Sequence, residues 1–399
     1  MASTLKTYVR GGGAAEACFE YEKIENKEIV YCYFERSNKK QRLMYDLAES
    51  EIEEPLFWDE FRSVVESPSI AFVCKSLYQR VDIHEDGSCS GCCDAWLSKK
   101  LCNVMADDGS EVYNSIWAKI MKLSCLLHTY NFCNWDNCPY LRNHKNIRPI
   151  EDAEIDYGAF DCVPSTPERL IFNFDPSCNL RCPSCRSEFR AYRLEELTEK
   201  ESILKNIQGW VENAKFIQIA GYGDPFFSQL YRKCWGNARF NNDLIMYFTT
   251  NGQFFSKELF EKAEERIKRI QLAVSIDAAT EETYRKIRPG GSFNKLQDNM
   301  VYASSLRIER RLERLEMNFV VQMDNYKEMK DFVKWGLDLG VDLVRFTRIV
   351  NWGTFSSDEY NDKSINLLDG KLKDEIVEEL RNPIFREKIC LFDFWSPNE

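Results

Sequence analysis

Three cysteines stand close together in one polar loop of the sequence. The segment FNFDPSCNLRCPSCRSEFR, residues 172–190, places Cys178, Cys182 and Cys185 in a C-x3-C-x2-C spacing. Thiolates at this spacing can chelate one inorganic centre. A structural zinc site usually takes two C-x2-C pairs, whereas the next cysteine here is the distant Cys234. An iron–sulfur cubane held by three cysteines keeps one iron open for a substrate or cofactor.

The composition is that of a globular chain in a reducing compartment. The 399 residues suggest about two or three domains, and 44% hydrophobic with 29% charged residues allow a real core. Sixteen cysteines are many, and where thiols stay reduced they indicate metal or redox chemistry rather than disulfides. With only three histidines, a His-rich zinc site or a Ser-His-Asp hydrolase is hard to build.

Charge and hydropathy exclude several partners. A net charge of −11 argues against nucleic acid as the main partner. No run of about 18 apolar residues predicts a membrane span, and the first residues lack the apolar core of a signal peptide. The default expectation is therefore a cytoplasmic protein that binds neither nucleic acid nor membrane.

Strand-like and helical segments alternate regularly after residue 167. The six strand-like runs are RLIFNFD, KFIQIAGYG, LIMYFTTNG, KRIQLAVSID, RLEMNFVVQ and VDLVRFTRIV. This alternation predicts an α/β fold whose parallel sheet is built by right-handed crossovers. A full TIM barrel has eight such units, so six predict a partial (β/α)6 TIM-like barrel or a doubly wound sheet.

Five regions follow from composition and pattern. Residues 1–80 form an α+β region of unknown role, and residues 81–145 are rich in cysteine. Residues 146–167 are acidic, contain three prolines and are predicted to be a linker. Residues 168–355 are the predicted barrel, and residues 356–399 a helical C-terminal extension.

The C-x3-C-x2-C loop resembles the hallmark of the radical S-adenosylmethionine (SAM) superfamily, which lies after the first strand of a partial barrel. The resemblance covers about residues 170–355. It departs at Ser184, where an aromatic residue often precedes the third cysteine. The resemblance implies that Cys178, Cys182 and Cys185 are the catalytic ligands of a SAM-binding [4Fe–4S] cluster.

Three further segments at strand ends resemble SAM-binding segments of this superfamily. GYGDP, residues 221–225, resembles its Gly-Gly-Glu-Pro loop, with Asp224 in place of the commoner Glu as acceptor for the SAM ammonium. TTNG ends the third strand, and SIDAAT resembles the segment that reaches the ribose and the methionyl carboxylate. The implied cofactor-binding residues are Gly221, Gly223, Asp224, Pro225, Thr250, Asn251, Ser275 and Asp277.

The same resemblance implies a chemistry. An electron from the reduced cluster cleaves SAM, and the resulting 5′-deoxyadenosyl radical removes hydrogen from an unactivated C–H bond. A one-electron reductant such as flavodoxin or ferredoxin is implied as a partner. The cofactor carries the difficult chemistry, and the protein supplies orientation and exclusion of water.

A second cysteine-rich block, with DGSCSGCC followed by FCNWDNC, resembles the auxiliary-cluster domains called SPASM or twitch. Such domains usually follow the barrel, whereas this block precedes it. The resemblance implies one auxiliary [4Fe–4S] cluster, with Cys92 or Cys93 joined by Cys133 and Cys138. A fourth ligand would be Cys89, Cys102 or the other member of the adjacent pair. A zinc knuckle and a metal-free structural role are the alternatives.

The remaining scattered cysteines are interpreted as core or surface thiols. They are Cys18, Cys32, Cys74, Cys162, Cys234 and Cys390. Such isolated thiols usually behave as small hydrophobic side chains.

Three functions compete at this point. The first is a radical SAM oxidoreductase or maturase that modifies a ribosomally made peptide by cross-linking, oxidation or epimerisation. The second is a radical SAM epimerase or dehydrogenase of a sugar, aminoglycoside or other small polar metabolite. The third is an iron–sulfur electron carrier or zinc-stabilised binding protein, and the SAM-type loops count against it.

Overall fold

The computed structural model describes four strands between residues 6 and 48, and the segments 63–149 and 166–395. Gaps in those segments fall at residues 65–66, 108, 110–111, 114, 136–137, 139, 142–146 and 220–222. The chain forms two compact units. Unit 1 comprises Met1–Asp82 and Asp86–Pro167, and unit 2 comprises Ile83–Glu85 and Glu168–Glu399. Most of the predicted linker and Cys162 lie outside the described residues.

Unit 1 begins with an antiparallel sheet. Its strands are β1 (Lys6–Arg10), β2 (Ala17–Ile24), β3 (Lys27–Arg36) and β4 (Lys39–Ala48). They pair in the order β1-β2-β3-β4, and each strand is antiparallel to the next. Within the described residues β1 and β4 therefore form the two edges of this sheet.

The cysteine-rich part of unit 1 consists of short elements. They are α1 (Ser76–Gln79), β5 (Arg80–His84), β6 (Ser88–Ser90), β7 (Cys102–Asn103), α2 (Val104–Asp107) and α3 (Ile116–Leu126). Helix α3 begins after Ser115, whose hydroxyl accepts the N–H of Ala118 as an N-cap. Strands β6 and β7 are antiparallel and place Cys89 opposite Cys102.

Unit 2 contains a parallel sheet of seven strands. They are β8 (Arg169–Asn173), β9 (Phe216–Ile219), β10 (Ile245–Thr250), β11 (Arg269–Ser275), β12 (Arg314–Val321), β13 (Leu343–Arg348) and β14 (Cys390–Phe392). All six predicted strands are present and every neighbouring pair is parallel, so the predicted α/β class is confirmed.

The strands of unit 2 follow one another in the sheet in chain order. A doubly wound sheet reverses its strand order at a switch point, so that alternative is wrong. Sequential order is what a (β/α) barrel requires. Strand β14, which pairs with β13 in the same sheet, was not predicted from the sequence; two helices, Ser357–Lys363 and Asp374–Leu380, lie in the predicted C-terminal extension.

Helices connect and cover these strands. They are α4 (Leu194–Asn206), α5 (Gln208–Asn213), α6 (Gln229–Asn237), α7 (Lys257–Glu264), α8 (Glu281–Ile287), α9 (Phe293–Ile308), α10 (Met329–Leu339), α11 (Ser357–Lys363) and α12 (Asp374–Leu380). Strand β11 shows how the sheet divides its faces. Ile270, Leu272 and Val274 on one face are buried, whereas Gln271 and Ser275 on the other face are partly exposed on either side of the buried Ala273. One face thus builds the core, and the other carries polar side chains toward the strand ends.

Candidate active site

The cysteine loop follows β8 directly and is held by its own backbone. The N–H of Cys178 donates to the carbonyl of Arg190 at 2.9 Å, which closes the loop at its base. The N–H groups of Cys185 and Arg186 donate to the carbonyl of Cys182 at 2.9 and 3.0 Å. A tight turn therefore brings the second and third thiols together, and all three cysteines are partly exposed free thiols.

Nitrogen donors approach all three sulfur atoms. The contacts are Leu180 N and Asn251 Nδ2 to Cys178 Sγ at 3.5 Å, Arg288 Nη1 to Cys182 Sγ at 3.8 Å and Arg186 Nη2 to Cys185 Sγ at 3.8 Å. Hydrogen bonds to thiolate sulfur tune the potential of iron–sulfur clusters and orient their ligands. The donor set thus fits a cluster held by thiolates.

Burial and nearby charges act on these thiols. Burial, reinforced by the charge of Asp224, raises the pKa of Cys178 to about 11. Burial also raises the pKa of Cys182, although the positive charge of Arg288 opposes it. Without metal these two thiols are protonated at neutral pH, so binding of a metal cluster releases their protons.

Asp224 connects the loop after β9 to the end of β10. Its Oδ1 accepts the N–H groups of Phe226 and Phe227 at 3.0 and 3.1 Å. Its Oδ2 accepts the Thr250 hydroxyl at 2.7 Å and the Asn251 N–H at 2.9 Å. A carboxylate has about four acceptor sites, and protein donors fill all of them in a side chain that is only 1% exposed. The contacts assign Asp224 a positioning role, and its predicted contact with the SAM ammonium stays a prediction.

Gly223 lets two backbones approach closely. A Cβ atom there would lie 2.1 Å from the carbonyl oxygen of Asp175 and 3.0 Å from that of Ser177. The next N–H, of Asp224, donates to the same Ser177 carbonyl at 2.9 Å. Only glycine fits this approach, which fixes the predicted SAM loop against the entry to the cysteine loop.

The rest of the predicted SAM loop is partly described. Gly221 lies outside the described residues. Pro225 is buried, and its carbonyl accepts the indole N–H of Trp235 on α6 at 3.2 Å. This bond anchors the C-terminal end of the loop in the core.

Asn251 joins the end of β10 to the cysteine loop. Its Nδ2 donates to Asn179 Oδ1 at 3.0 Å as well as to Cys178 Sγ, and its Oδ1 accepts the N–H of Gln253 at 2.9 Å. The side chain is buried, so both of its polar ends are satisfied inside the protein. The prediction that this residue belongs to the site is consistent with its position, and a direct contact with SAM stays a prediction.

Asp277 forms a buried ion pair next to the second cysteine. It has a left-handed φ of 63° just after β11 and is 2% exposed. Its Oδ2 accepts Arg288 Nη2 at 2.6 Å, and its Oδ1 accepts the N–H of Val320 at 2.8 Å. Arg288 thereby links Asp277 to Cys182, while Ser275 lies opposite Asn318 in the register of β11 and β12.

Two arginines of this site were not predicted from the sequence. Arg186 directly follows the third cysteine, and that adjacency is a signal that could have found it. Arg288 lies in a loop far from the cysteines in sequence, and only the fold brings it to Cys182. Burial disfavours its charge, but Asp277 and Cys182 outweigh burial and hold the pKa of Arg288 above its ordinary value.

The structure describes the surroundings of several cysteines of the second block, and their predicted cluster stays a prediction. Cys89 Sγ donates to the carbonyl of Gly87 at 3.7 Å, within the hairpin that pairs Cys89 with Cys102. The carbonyl of Cys93 closes a turn by accepting N–H groups of the following residues, and Cys138 is buried. In the described part of the chain no three Cys, His, Asp or Glu side chains form a group that could hold one metal ion.

The fold and the site together define a class of protein. A C-x3-C-x2-C loop follows the first strand of a sequential parallel sheet, and polar residues from the next strand ends converge on it. This is the arrangement that the sequence resemblance implied, and it is supported by the curated relatives below. Two curated relatives confirm the resemblance to the radical SAM superfamily.

The relatives are matched over about half of the chain. This chain is 24% identical over 198 residues to GTP 3′,8-cyclase of Limosilactobacillus fermentum. The match covers 48% of this chain and 56% of the relative. The chain is 23% identical over 202 residues to GTP 3′,8-cyclase of Lactiplantibacillus plantarum, and this match covers 49% and 58%. The chain thus spans little more than half the length of these relatives. No protein-family model matches it.

Solved structures give a weaker likeness. The crystal structure of Streptococcus suis SuiB is 14% identical, with a TM-score of 0.39, over 69% of this chain and 58% of that one.

None of the helices within the described ranges has the length and apolar character needed to cross a membrane.

Proposed function

We propose that this chain is a radical SAM enzyme whose cluster is ligated by Cys178, Cys182 and Cys185. When bound, the [4Fe–4S] cluster and SAM supply a 5′-deoxyadenosyl radical that abstracts hydrogen from a substrate C–H bond. A one-electron reductant such as flavodoxin or ferredoxin would supply the electron. The chain's own residues hold the cluster loop and exclude water around it.

One observation carries this proposal. Four nitrogen donors from three separate segments converge on the three sulfur atoms. Arg288 places a positive charge beside Cys182, and Asn251 orients Cys178. Asp224 fixes Asn251, and Gly223 sets the loop of Asp224 against the cysteine loop. A pre-formed donor shell of this kind suits thiolate ligands better than unrelated buried thiols.

For the substrate we propose a ribosomally made peptide, modified by cross-linking, oxidation or epimerisation. The sheet β1–β4 supports this choice, because each of its outer strands pairs on one side only within the described residues. An extended peptide can add to such an edge through backbone hydrogen bonds. An auxiliary cluster in a SPASM- or twitch-like domain of unit 1 is part of the same proposal.

The first test is cleavage of SAM. The anaerobically reconstituted, dithionite-reduced protein should release 5′-deoxyadenosine from SAM, and the variant with Cys178, Cys182 and Cys185 replaced by Ala should release none. Cys234→Ala is the matched control, because Cys234 is a buried thiol on α6. If the wild type binds iron but yields no 5′-deoxyadenosine, the proposed activity is wrong.

A second experiment tests the substrate class. A deuterated candidate peptide should transfer deuterium to 5′-deoxyadenosine, because the radical takes hydrogen directly from its substrate. Deuterium transfer from a sugar or aminoglycoside, with none from peptides, would show that the substrate is a small polar metabolite and not a peptide.

A further inference from the structure

We propose that Cys74, Cys92, Cys125 and Cys133 are the four ligands of an iron–sulfur cluster in unit 1. This set keeps Cys92 and Cys133 from the sequence prediction and replaces Cys138 by Cys125. Its fourth member is Cys74, which was interpreted as an isolated thiol. The inference rests on the proposed auxiliary cluster and is independent of the chemistry at Cys178, Cys182 and Cys185.

Tyr130 brings two of the four cysteines together. Its hydroxyl accepts the N–H of Cys74 at 3.1 Å and donates to the carbonyl of Phe72 at 2.6 Å. Its own carbonyl accepts the N–H of Cys133 at 3.0 Å. The residue is buried and has a left-handed φ of 51°, so a fixed turn holds the segments of Cys74 and Cys133 side by side.

The segment of Cys92 is tied to the same turn. The N–H groups of Trp96 and Leu97 donate to the carbonyl of Cys93 at 2.8 and 2.9 Å, which closes a turn directly after Cys92. The carbonyl of Trp96 then accepts the N–H of Asn134, next to Cys133, at 2.7 Å. These bonds bring the turn of Cys92 to that of Cys133.

Cys125 approaches from helix α3. It is 2% exposed near the C-terminal end of that helix. The carbonyl of the preceding residue, Ser124, accepts the N–H of Thr129 at 2.9 Å, which leads the chain back to Tyr130. The helix end and the Tyr130 turn are therefore one folded unit, with Cys125 on its inside.

The charges that act on three of these thiols support the grouping that the backbone contacts indicate. Burial raises the pKa of Cys92 to about 12, and a charge on Cys74 adds to it. Burial raises the pKa of Cys133 to about 12 as well, and charges on Cys74 and Cys92 add to it. Burial raises the pKa of Cys125 well above its ordinary value, and here Cys133, Cys74 and Cys92 all contribute. A charge on at least one other member of the group thus acts on Cys92, Cys125 and Cys133.

Two other cysteines of the block, Cys89 and Cys93, have other partners. Cys89 Sγ is bonded to the Gly87 carbonyl within the β6–β7 hairpin. Burial raises the pKa of Cys93, and the charged groups that act on it are Asp82, Arg80 and Asp94. Cys138 is buried near Cys133, and its charge acts on Cys133 as those of Cys74 and Cys92 do.

The four thiols are suited to a cubane. All four are free thiols, so each is available as a thiolate ligand. A [4Fe–4S] cubane binds each of four thiolates through a different iron, so its ligands stand further apart than those of a single ion.

A half-buried cation lies beside this group. Arg80 Nη2 donates to Asp82 Oδ2 at 2.7 Å, and a charge on Cys92 is among the causes that hold the pKa of Arg80 high against burial. Four thiolates give a cluster a net negative charge, and a neighbouring guanidinium reduces the cost of burying it.

The test is made in full-length protein in which Cys178, Cys182 and Cys185 are replaced by Ala, so that only unit 1 binds a cluster. After anaerobic reconstitution this background should hold about four iron and four sulfide per chain. Adding Cys74→Ala and Cys125→Ala should remove nearly all of this iron, because two thiolates cannot hold the cluster. Adding Cys89→Ala and Cys102→Ala should leave about four iron, with an unchanged electron paramagnetic resonance signal after reduction.

Each other outcome overturns the proposal. If the background binds about one zinc instead of iron, or no metal at all, unit 1 carries no iron–sulfur cluster, whatever the result of the SAM assay. If the Cys89/Cys102 pair loses iron and the Cys74/Cys125 pair keeps it, the ligand set is wrong. Far-UV circular dichroism of both pairs identifies loss by unfolding, and Cys74→Ser with Cys125→Ser then repeats the comparison with smaller changes in volume.

Discussion

Buried carboxylates set the positions of the residues around the cysteine loop. Asp224 receives four protein donors, and Asp277 receives Arg288 and the backbone of β12. A buried carboxylate with this many partners is committed to its place, because removing it leaves several donors unsatisfied. At the scale of single residues, hydrogen bonds and ion pairs among the site's own side chains therefore fix their positions.

The first prediction concerns Asp224. Replacing it by Ala leaves the Thr250 hydroxyl and the Asn251 N–H without their acceptor inside the core. We expect the free energy of unfolding to fall by about 3 kcal/mol, measured by urea unfolding of the metal-free protein. Asp331→Ala on the surface of α10, where the carboxylate pairs with Lys334, should change it by less than about 0.5 kcal/mol. Equal effects of the two substitutions would contradict the positioning role.

Single residues also show what the sequence could reveal. The spacing of Cys178, Cys182 and Cys185 predicts a metal-binding loop directly, because all three proposed ligands lie in one short segment. Arg288 and Cys74 carry no such local signal, since their partners are distant in sequence and only the fold brings them near. Ligands gathered from separate segments are therefore the part of a site that spacing alone cannot predict.

At the scale of elements, the strands of unit 2 were predictable because each is an apolar run followed by polar residues. Strand β14 was not, because three residues are too few to show a strand period, and its assignment depends on pairing with β13. Turns were harder still. The approach of Gly223 to Asp175 follows from tertiary contact and not from the Gly-rich pattern itself.

The second prediction compares two glycines. Gly223→Ala places a methyl group against the backbone of Asp175, so we expect a loss of about 2 kcal/mol in the free energy of unfolding. Gly209→Ala, on the exposed side of α5, meets no atom within 4 Å and should stabilise the protein by about 0.5 kcal/mol. Thermal unfolding of both variants measures whether each substitution lowers or raises the stability of the protein. A stabilising Gly223→Ala would show that the loop does not pack as described.

The third prediction concerns the junction of α9, β12 and β13. Asp342 accepts Arg307 Nε and Nη2 at 2.7 and 2.8 Å and the N–H of Leu315 at 2.8 Å. Burial acts to raise the pKa of Asp342, but these bonds outweigh it and hold the pKa below its ordinary value. A lowered folded-state pKa gives stability that is present above the unfolded pKa and is lost as the pH falls through the folded one.

Asp342→Asn should therefore cost about 1 kcal/mol at pH 7, measured by urea unfolding. The difference from wild type should shrink as the pH falls from 5 toward 2, because protonated Asp342 resembles the amide. A difference that stays constant over this range would contradict an ionised Asp342 at the junction.

At the scale of the whole molecule, the two units each contain one group of cysteines. Unit 2 gathers three thiols on a loop after its first strand, and unit 1 gathers Cys74, Cys92, Cys125 and Cys133 from four segments. In the proposed assignment the first group would leave one iron open for SAM, whereas the second would fill all four positions of a cubane. The two groups are thus suited to different tasks, the first to radical formation and the second to electron transfer or to bracing the fold.

The last prediction follows from this division. Wild-type protein should bind about eight iron per chain, four for each cluster. Replacing Cys178, Cys182 and Cys185 by Ala should halve the iron and abolish SAM cleavage. Replacing Cys74 and Cys125 should also halve the iron but preserve uncoupled release of 5′-deoxyadenosine, because the ligands of the SAM-binding cluster are intact. Iron and sulfide analysis with product chromatography measures both quantities on the same samples. If the Cys74/Cys125 variant keeps eight iron, or loses SAM cleavage while its unit 2 cluster is present, the two sites are not independent in the way proposed.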